Sequence, residues 1–203
     1  AYNGGPVMTG GINVYYIWYG NWSRNTATTI LPDLATNLGG TQRWNINATY
    51  TGSDGVAVNT SVRYAGSTTD SYSRGTDLTD SEVFSVVSDA ITSGRLPSDA
   101  SGVYFVLTST DVTQGTGFCG EYCGRHYYGT VGGTTIKYAF VGNAESQCPN
   151  SCIAAENRVH SPNSNVGHIA LSRRGDLAIV SAPPISEPRG ATSDRRLEHI
   201  AMR

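Results

Sequence analysis

Val103-Tyr104-Phe105-Val106-Leu107-Thr108 is an unbroken run of β-branched, aromatic and aliphatic residues that closes on a threonine. A strand with one wet face alternates apolar and polar side chains. A run without alternation is covered on both faces, as parallel strands at the centre of an α/β sheet are. Ile12-Asn13-Val14-Tyr15-Tyr16-Ile17-Trp18-Tyr19, bounded by Gly11 and Gly20, reads as a second buried strand. Between them, Val83, Val86, Val87, Ala90 and Ile91 recur at helical spacing and predict a helix over 80–93. Thr79 and Glu82 supply a capping box for it, and Gly94 with Pro97 ends it. Residues 25–38 carry Ile30, Leu31, Leu34 and Leu38 at the same spacing, with Pro32 setting a start or a kink. Residues 43–50 and 56–64 read as two strands of a hairpin turned by Thr51-Gly52-Ser53-Asp54-Gly55. Residues 65–78 lack periodicity and read as loop, and a long glycine- and cysteine-containing loop precedes a last strand at 136–142.

This order predicts one three-layer domain, α/β or α+β, with a mixed, partly parallel central sheet and two main helices. A disulfide-rich loop region and a C-terminal tail complete it. The expected domain is 1–171. Residues 172–203 read as a separate appendage, because six of the thirteen arginines fall there, aromatics vanish and Pro183-Pro184 breaks the pattern.

Composition narrows the function. The 203 residues suit one domain with a substantial core. Charged residues are 15%, against about 25% in a typical soluble domain. Small neutral residues replace them, with 24 Gly and 43 Ser plus Thr. Net charge is −2 and Lys137 is the one lysine, so no broad basic face exists to hold nucleic acid. No apolar run approaches the roughly 20 residues of a membrane span. The chain opens on Ala1-Tyr2-Asn3 without a leader pattern and reads as a processed, mature sequence. Three N-glycan acceptor triplets, Asn21-Trp22-Ser23, Asn47-Ala48-Thr49 and Asn59-Thr60-Ser61, crowd into residues 21–61. Together with four cysteines they point to a secreted glycoprotein.

The cysteines form two C-x₃-C pairs, Cys119 with Cys123 and Cys148 with Cys152. Zinc ribbons use the tighter C-x₂-C, so this spacing favours two disulfides over a Cys₄ site, with three connectivities open. His126, three residues after Cys123, is a weak metal candidate and reads first as a polar loop residue. Gly115-Thr116-Gly117-Phe118-Cys119-Gly120 matches G-x-G-x-x-G formally, but no helix pattern or acidic partner follows it. No H-E-x-x-H and no G-x-S-x-G occurs, and no cofactor is expected. The aromatic run 15–19 with Trp22 reads first as core, with a sugar-stacking platform as the alternative.

Several collinear blocks resemble the phosphate-induced protein 1 family, which includes the EXORDIUM-like proteins. They are Tyr2-Asn3-Gly4-Gly5-Pro6-Val7, the run 13–20, Leu96-Pro97 with Gly102 through Thr108, Gly117-Phe118-Cys119, Cys123-Gly124-Arg125-His126, Tyr138 through Asn143, Gln147-Cys148-Pro149 to Cys152, and Ser161-Pro162-Asn163. The resemblance spans about residues 1–170. It implies a protein secreted to the cell wall or extracellular matrix, linked in plants to growth and cell expansion, with no assigned enzymatic activity. The resemblance implies that many family members outside plants carry a His-Glu-Leu-x-Glu-like helix after the Ser-Pro-Asn block. Here His168 is followed by Ile-Ala-Leu-Ser-Arg-Arg-Gly-Asp176, so that metal helix does not carry over.

The expected function is therefore a non-catalytic, extracellular, polysaccharide-binding matrix glycoprotein. One alternative is a subunit of an extracellular filament that self-assembles through residues 172–203. Another is a degenerate zinc metalloprotease-like enzyme.

Overall fold

The computed structural model describes residues 7–145 and 147–152. Five strands form one sheet. In chain order, β1 is Ile12–Tyr19, α1 Ala27–Leu38, β2 Val62–Asp70, β3 Asp77–Leu78, α2 Asp80–Thr92, β4 Gly102–Thr108 and β5 Thr113–Gln114. There follow β6 Gly124–Val131, β7 Thr134–Val141 and a short α3, Pro149–Cys152. The sheet runs β2-β1-β4-β7-β6, with parallel pairs throughout except β6, which lies antiparallel to β7 at one edge. The two-residue strands β3 and β5 pair with each other beside it.

Alternation along the inner strands explains the layers, because successive side chains leave on opposite faces. Tyr15, Ile17 and Tyr19 of β1, with Tyr104 and Val106 of β4, meet Val83, Val86, Val87, Ala90 and Ile91 of α2. Val14, Tyr16 and Trp18, with Val103, Phe105 and Leu107, meet Ala27, Leu31 and Ala35 of α1. All of β4 is buried, as its lack of alternation requires. The architecture is α/β with helices on both faces. Among the described residues no helix is long and apolar enough to cross a membrane.

The helices differ in how they begin. Thr79 accepts from the Glu82 amide while Glu82 returns a carboxylate to the Thr79 amide, so the expected capping box closes α2. The N-cap of α1, Thr26, makes no side-chain capping bond. Pro32 lies inside α1 rather than at its start.

Three expectations are corrected. Residues 43–50 are not a strand: Trp44–Thr49 is a 3₁₀ helix. Asn47 Nδ2 donates to the Trp44 carbonyl at 2.7 Å and Thr49 Oγ1 to that of Ile46 at 2.7 Å. Such local bonds compete with a strand ladder. Only a Thr51–Ala57 bridge remains of the hairpin. Residues 62–70, split in the reading between strand and loop, are one edge strand parallel to β1. Its register slips between Val14 and Tyr15, where Gly66 adopts φ +145°. Finally, β6 occupies part of the expected loop. Gly132 and Gly133, both at positive φ, turn it into β7 as a two-residue hairpin.

Candidate functional site

In open α/β sheets ligands lie beyond the carboxyl ends of the strands, where the strand order reverses. Here that point lies between β1, whose crossover goes to β2, and β4, whose chain goes on to β7. The chain itself fills it. Ser109 Oγ accepts from the Asn21 amide at 3.1 Å and donates to Asp111 Oδ1 at 2.6 Å. Tyr72 donates to Asp111 Oδ2 at 2.8 Å. A Cβ on Gly20 would stand 1.9 Å from Ser109 Oγ, so this approach requires glycine. Burial alone would raise the Asp111 carboxyl, but the bonds from Ser109 and Tyr72 outweigh it and hold it below the usual carboxylate range.

The same edge opens farther along, where α2 starts against β6 and β7. A shallow recess of about 10 Å³, room for about one water, is lined by Asp80, Val83, Tyr122, Arg125, Tyr127, Tyr138 and Phe140. Its polar members are tied together. Arg125 Nη1 donates to Asp80 Oδ2 at 3.0 Å, while Asp80 Oδ1 accepts from Gln114 Nε2 at 2.7 Å and Thr116 Oγ1 at 2.9 Å. Tyr122 donates its hydroxyl to Gln114 Oε1. The Arg125 guanidinium lies 4.3 Å from the Tyr127 ring centroid and 5.4 Å from that of Tyr122, within cation–π range. Tyr127 remains 39% exposed, while its ring also stacks with that of Tyr138, centroids 6.3 Å apart. Burial, and then Asp80, pushes the Tyr138 hydroxyl up to about 12, so the cleft floor stays neutral.

Two disulfides hold the wall of this cleft. Cys119 is bonded to Cys148 and Cys123 to Cys152, each across 29 residues, which selects one of the three open connectivities. The bridges pin the 117–123 loop and the start of β6 to the segment after β7. Phe118 seats edge-on against Phe140, with ring centroids 5.4 Å apart. A Cβ on Gly142 would meet the Phe118 ring at 2.3 Å. Tyr122 and Arg125 are thereby fixed at their positions in the wall.

The acceptor asparagines are scattered: Asn21 follows β1 at the carboxyl edge, while Asn47 and Asn59 lie in the connection between α1 and β2. Asn21 and Asn59 are exposed and Asn47 is buried. His126 alternates with Arg125 and Tyr127 along β6 and so leaves on the opposite face. Burial, and then the Arg125 charge, holds its imidazole below the usual range. Among the described residues no three His, Cys, Asp or Glu side chains converge as a metal site. His160, His168 and His199 lie outside the described residues, as does the 172–203 appendage.

The aromatic run 15–19 and Trp22 belong to the core, as the preferred reading of them expects. Tyr16, Trp18 and Trp22 are 3%, 5% and 8% exposed and belong to the core against α1. Tyr16 donates to the Leu31 carbonyl and Trp22 Nε1 to that of Tyr19. Sequence spacing does not group these residues, because Asp80 and Arg125 are 45 positions apart. The Gly132-Gly133 turn was the available signal: it makes 124–131 a strand and sets Arg125 and Tyr127 on one face.

Residues 1–171 match the model of the phosphate-induced protein 1 conserved region. The chain is 39% identical over 163 residues to Protein EXORDIUM-like 5 of Arabidopsis thaliana, covering 74% of this chain and 45% of that protein. It is 34% identical over 189 residues to Protein EXORDIUM-like 3 of Arabidopsis thaliana, covering 82% and 56%. It is 27% identical over 168 residues to Protein PHOSPHATE-INDUCED 1 of Nicotiana tabacum, covering 74% and 50%. The chain spans about half the length of these relatives. No solved structure matches it.

Proposed function

The chain belongs to the phosphate-induced protein 1 family, and from that premise we propose a secreted, growth-related protein of the extracellular matrix or cell wall that binds polysaccharide without catalysis. The observation that carries this reading is the surface cluster around the shallow recess at the start of α2. A half-exposed tyrosine ring there stands beside a guanidinium and a carboxylate already paired with each other. Sugar rings present C–H faces that pack on aromatic rings, and hydroxyls that bond planar polar groups at their rim. Because Asp80 compensates Arg125, the cleft favours a neutral sugar over an acidic one.

The same residues offer no hydrolytic pair. Glycoside hydrolysis uses two carboxyl groups flanking the bond. The cleft lining includes one, Asp80, and its oxygens are held by Arg125, Gln114 and Thr116. Two disulfides suit an oxidising, extracellular setting. The filament reading rests on residues 172–203, outside the described residues, and no observation favours it.

Affinity electrophoresis tests the proposal. The protein should be retarded in gels carrying a soluble neutral β-glucan and migrate freely in polygalacturonate. Tyr127→Ala should weaken retardation about tenfold, the equivalent of roughly 1.4 kcal/mol of ring contact. Equal mobility with and without the glucan would contradict it.

A further inference from the structure

The three acceptor triplets differ in geometry, and the difference assigns them different fates. At Asn21 the side-chain oxygen accepts both the Ser23 amide, at 3.0 Å, and the Ser23 hydroxyl, at 2.8 Å. At Asn59 the side-chain oxygen accepts the Ser61 amide at 2.7 Å. Both are Asx turns that engage the oxygen and direct the amide nitrogen away from the chain. Both residues are exposed, and no described residue accepts a hydrogen bond from either nitrogen.

Asn47 is the reverse case. It is 8% exposed, and its nitrogen donates to the Trp44 carbonyl at 2.7 Å within the 3₁₀ helix. The hydroxyl that should complete its triplet, that of Thr49, donates instead to the Ile46 carbonyl. Trp44, beneath it, is 3% exposed and part of the core against α1. A sugar on the Asn47 nitrogen would replace one of its two N–H hydrogens and need room that a residue 8% exposed, packed over buried Trp44, does not have.

We infer that Asn21 and Asn59 are the N-glycan attachment sites of this protein and that Asn47, despite its triplet, is a structural amide that carries none. In the transfer, the asparagine nitrogen attacks C1 of an oligosaccharide carried on a polyprenyl diphosphate. The N–C1 bond forms as the C1–O bond breaks, the diphosphate leaves on its lipid, and the nitrogen's proton passes to a base of the transferase. The two glycans would stand at opposite ends of β1, one beyond its carboxyl end and one in the segment that precedes β2, and neither residue lines the cleft.

The test uses the full chain behind a heterologous secretory leader in a eukaryotic host, so that native secretion is not at issue. Protein from the medium is deglycosylated by an amidase in heavy-oxygen water, which converts each glycosylated asparagine to a labelled aspartate, and is then mapped by mass spectrometry. Label at positions 21 and 59, with unmodified asparagine at 47, is the expected result. Ser23→Ala and Ser61→Ala should each remove one glycan from the intact mass, and Thr49→Ala none. Label at 47, or unlabelled asparagine at 21 or 59, would overturn the assignment. Neither result bears on the cleft, which is read separately from glucan retardation.

Discussion

At the amino ends of β1 and β4 the Asp99 carboxylate accepts hydrogen bonds from Asn13, Tyr15 and the Ser101 amide. Tyr104 accepts the Asp99 amide and donates to the Pro97 carbonyl, and its ring stacks on Tyr15 at 4.8 Å. Lys137 reaches the Ala100 carbonyl from β7. Donors and acceptors there satisfy one another. At the carboxyl ends the chemistry is as polar, but it divides: the Ser109–Asp111–Tyr72 group seals the point where the strand order reverses, while Asp80, Arg125 and the tyrosines frame an opening. Two disulfides brace the open side and none braces the sealed one. A closed polar cluster holds a crossover in place. The open one is held by the two disulfides.

The largest perturbation of this contrast is loss of a bridge. A cross-link closing about 30 residues stabilises by roughly 3–4 kcal/mol in the chain-entropy model. Cys119→Ala with Cys148→Ala should therefore lower Tm markedly in a thermal scan. It should also speed amide exchange in β6 more than at the amino ends of β1 and β4. Uniform acceleration across the sheet would show that the bracing is not local.

Next in size is the amino end. Asp99→Ala leaves the Asn13 and Tyr15 donors without their partner and should cost about 1–3 kcal/mol in denaturant unfolding. Burial opposes ionisation of Asp99, but bonds from Asn13, the Ser101 amide and Tyr15 outweigh it, so its carboxyl titrates below its ordinary value. A lowered folded pKa means the contribution is complete above the unfolded value of about 3.9 and is lost as pH falls through the folded one. Asp99→Asn should flatten stability across that acid window. Unchanged acid dependence would remove Asp99 from the account.

Smaller still is the α2 cap, which borders the cleft. Thr79→Ala should cost about 1 kcal/mol. Smallest is Arg125→Ala, because its ion pair with Asp80 is partly exposed and such pairs contribute about 0–1 kcal/mol. Its effect belongs to binding: glucan retardation should fall while Tm holds.

How much of this was legible follows from what each segment touches. β1 and β4 are covered on both faces and announce themselves as near-continuous apolar runs, and α2 is announced by its single apolar stripe. β6 has an edge position and mixed surroundings, with Tyr127 and Tyr128 both exposed, and its alternation is lost. The 3₁₀ helix at 44–49 hid behind β-prone residues because Asn47 and Thr49 chose local carbonyls over a ladder. The cysteines were legible as a set, whereas their pairing required the fold. The cleft was not, since it joins the first residue of α2 to an edge strand 45 positions later.

The most direct test sets the two ends of the sheet against each other in one experiment, with Tyr127→Ala and Asp99→Asn compared for glucan retardation and Tm. The account predicts a crossed result, in which Tyr127→Ala loses retardation about tenfold with its Tm kept and Asp99→Asn loses Tm with its retardation kept. Retardation that survives Tyr127→Ala, or that falls in a still-folded Asp99→Asn, would contradict it.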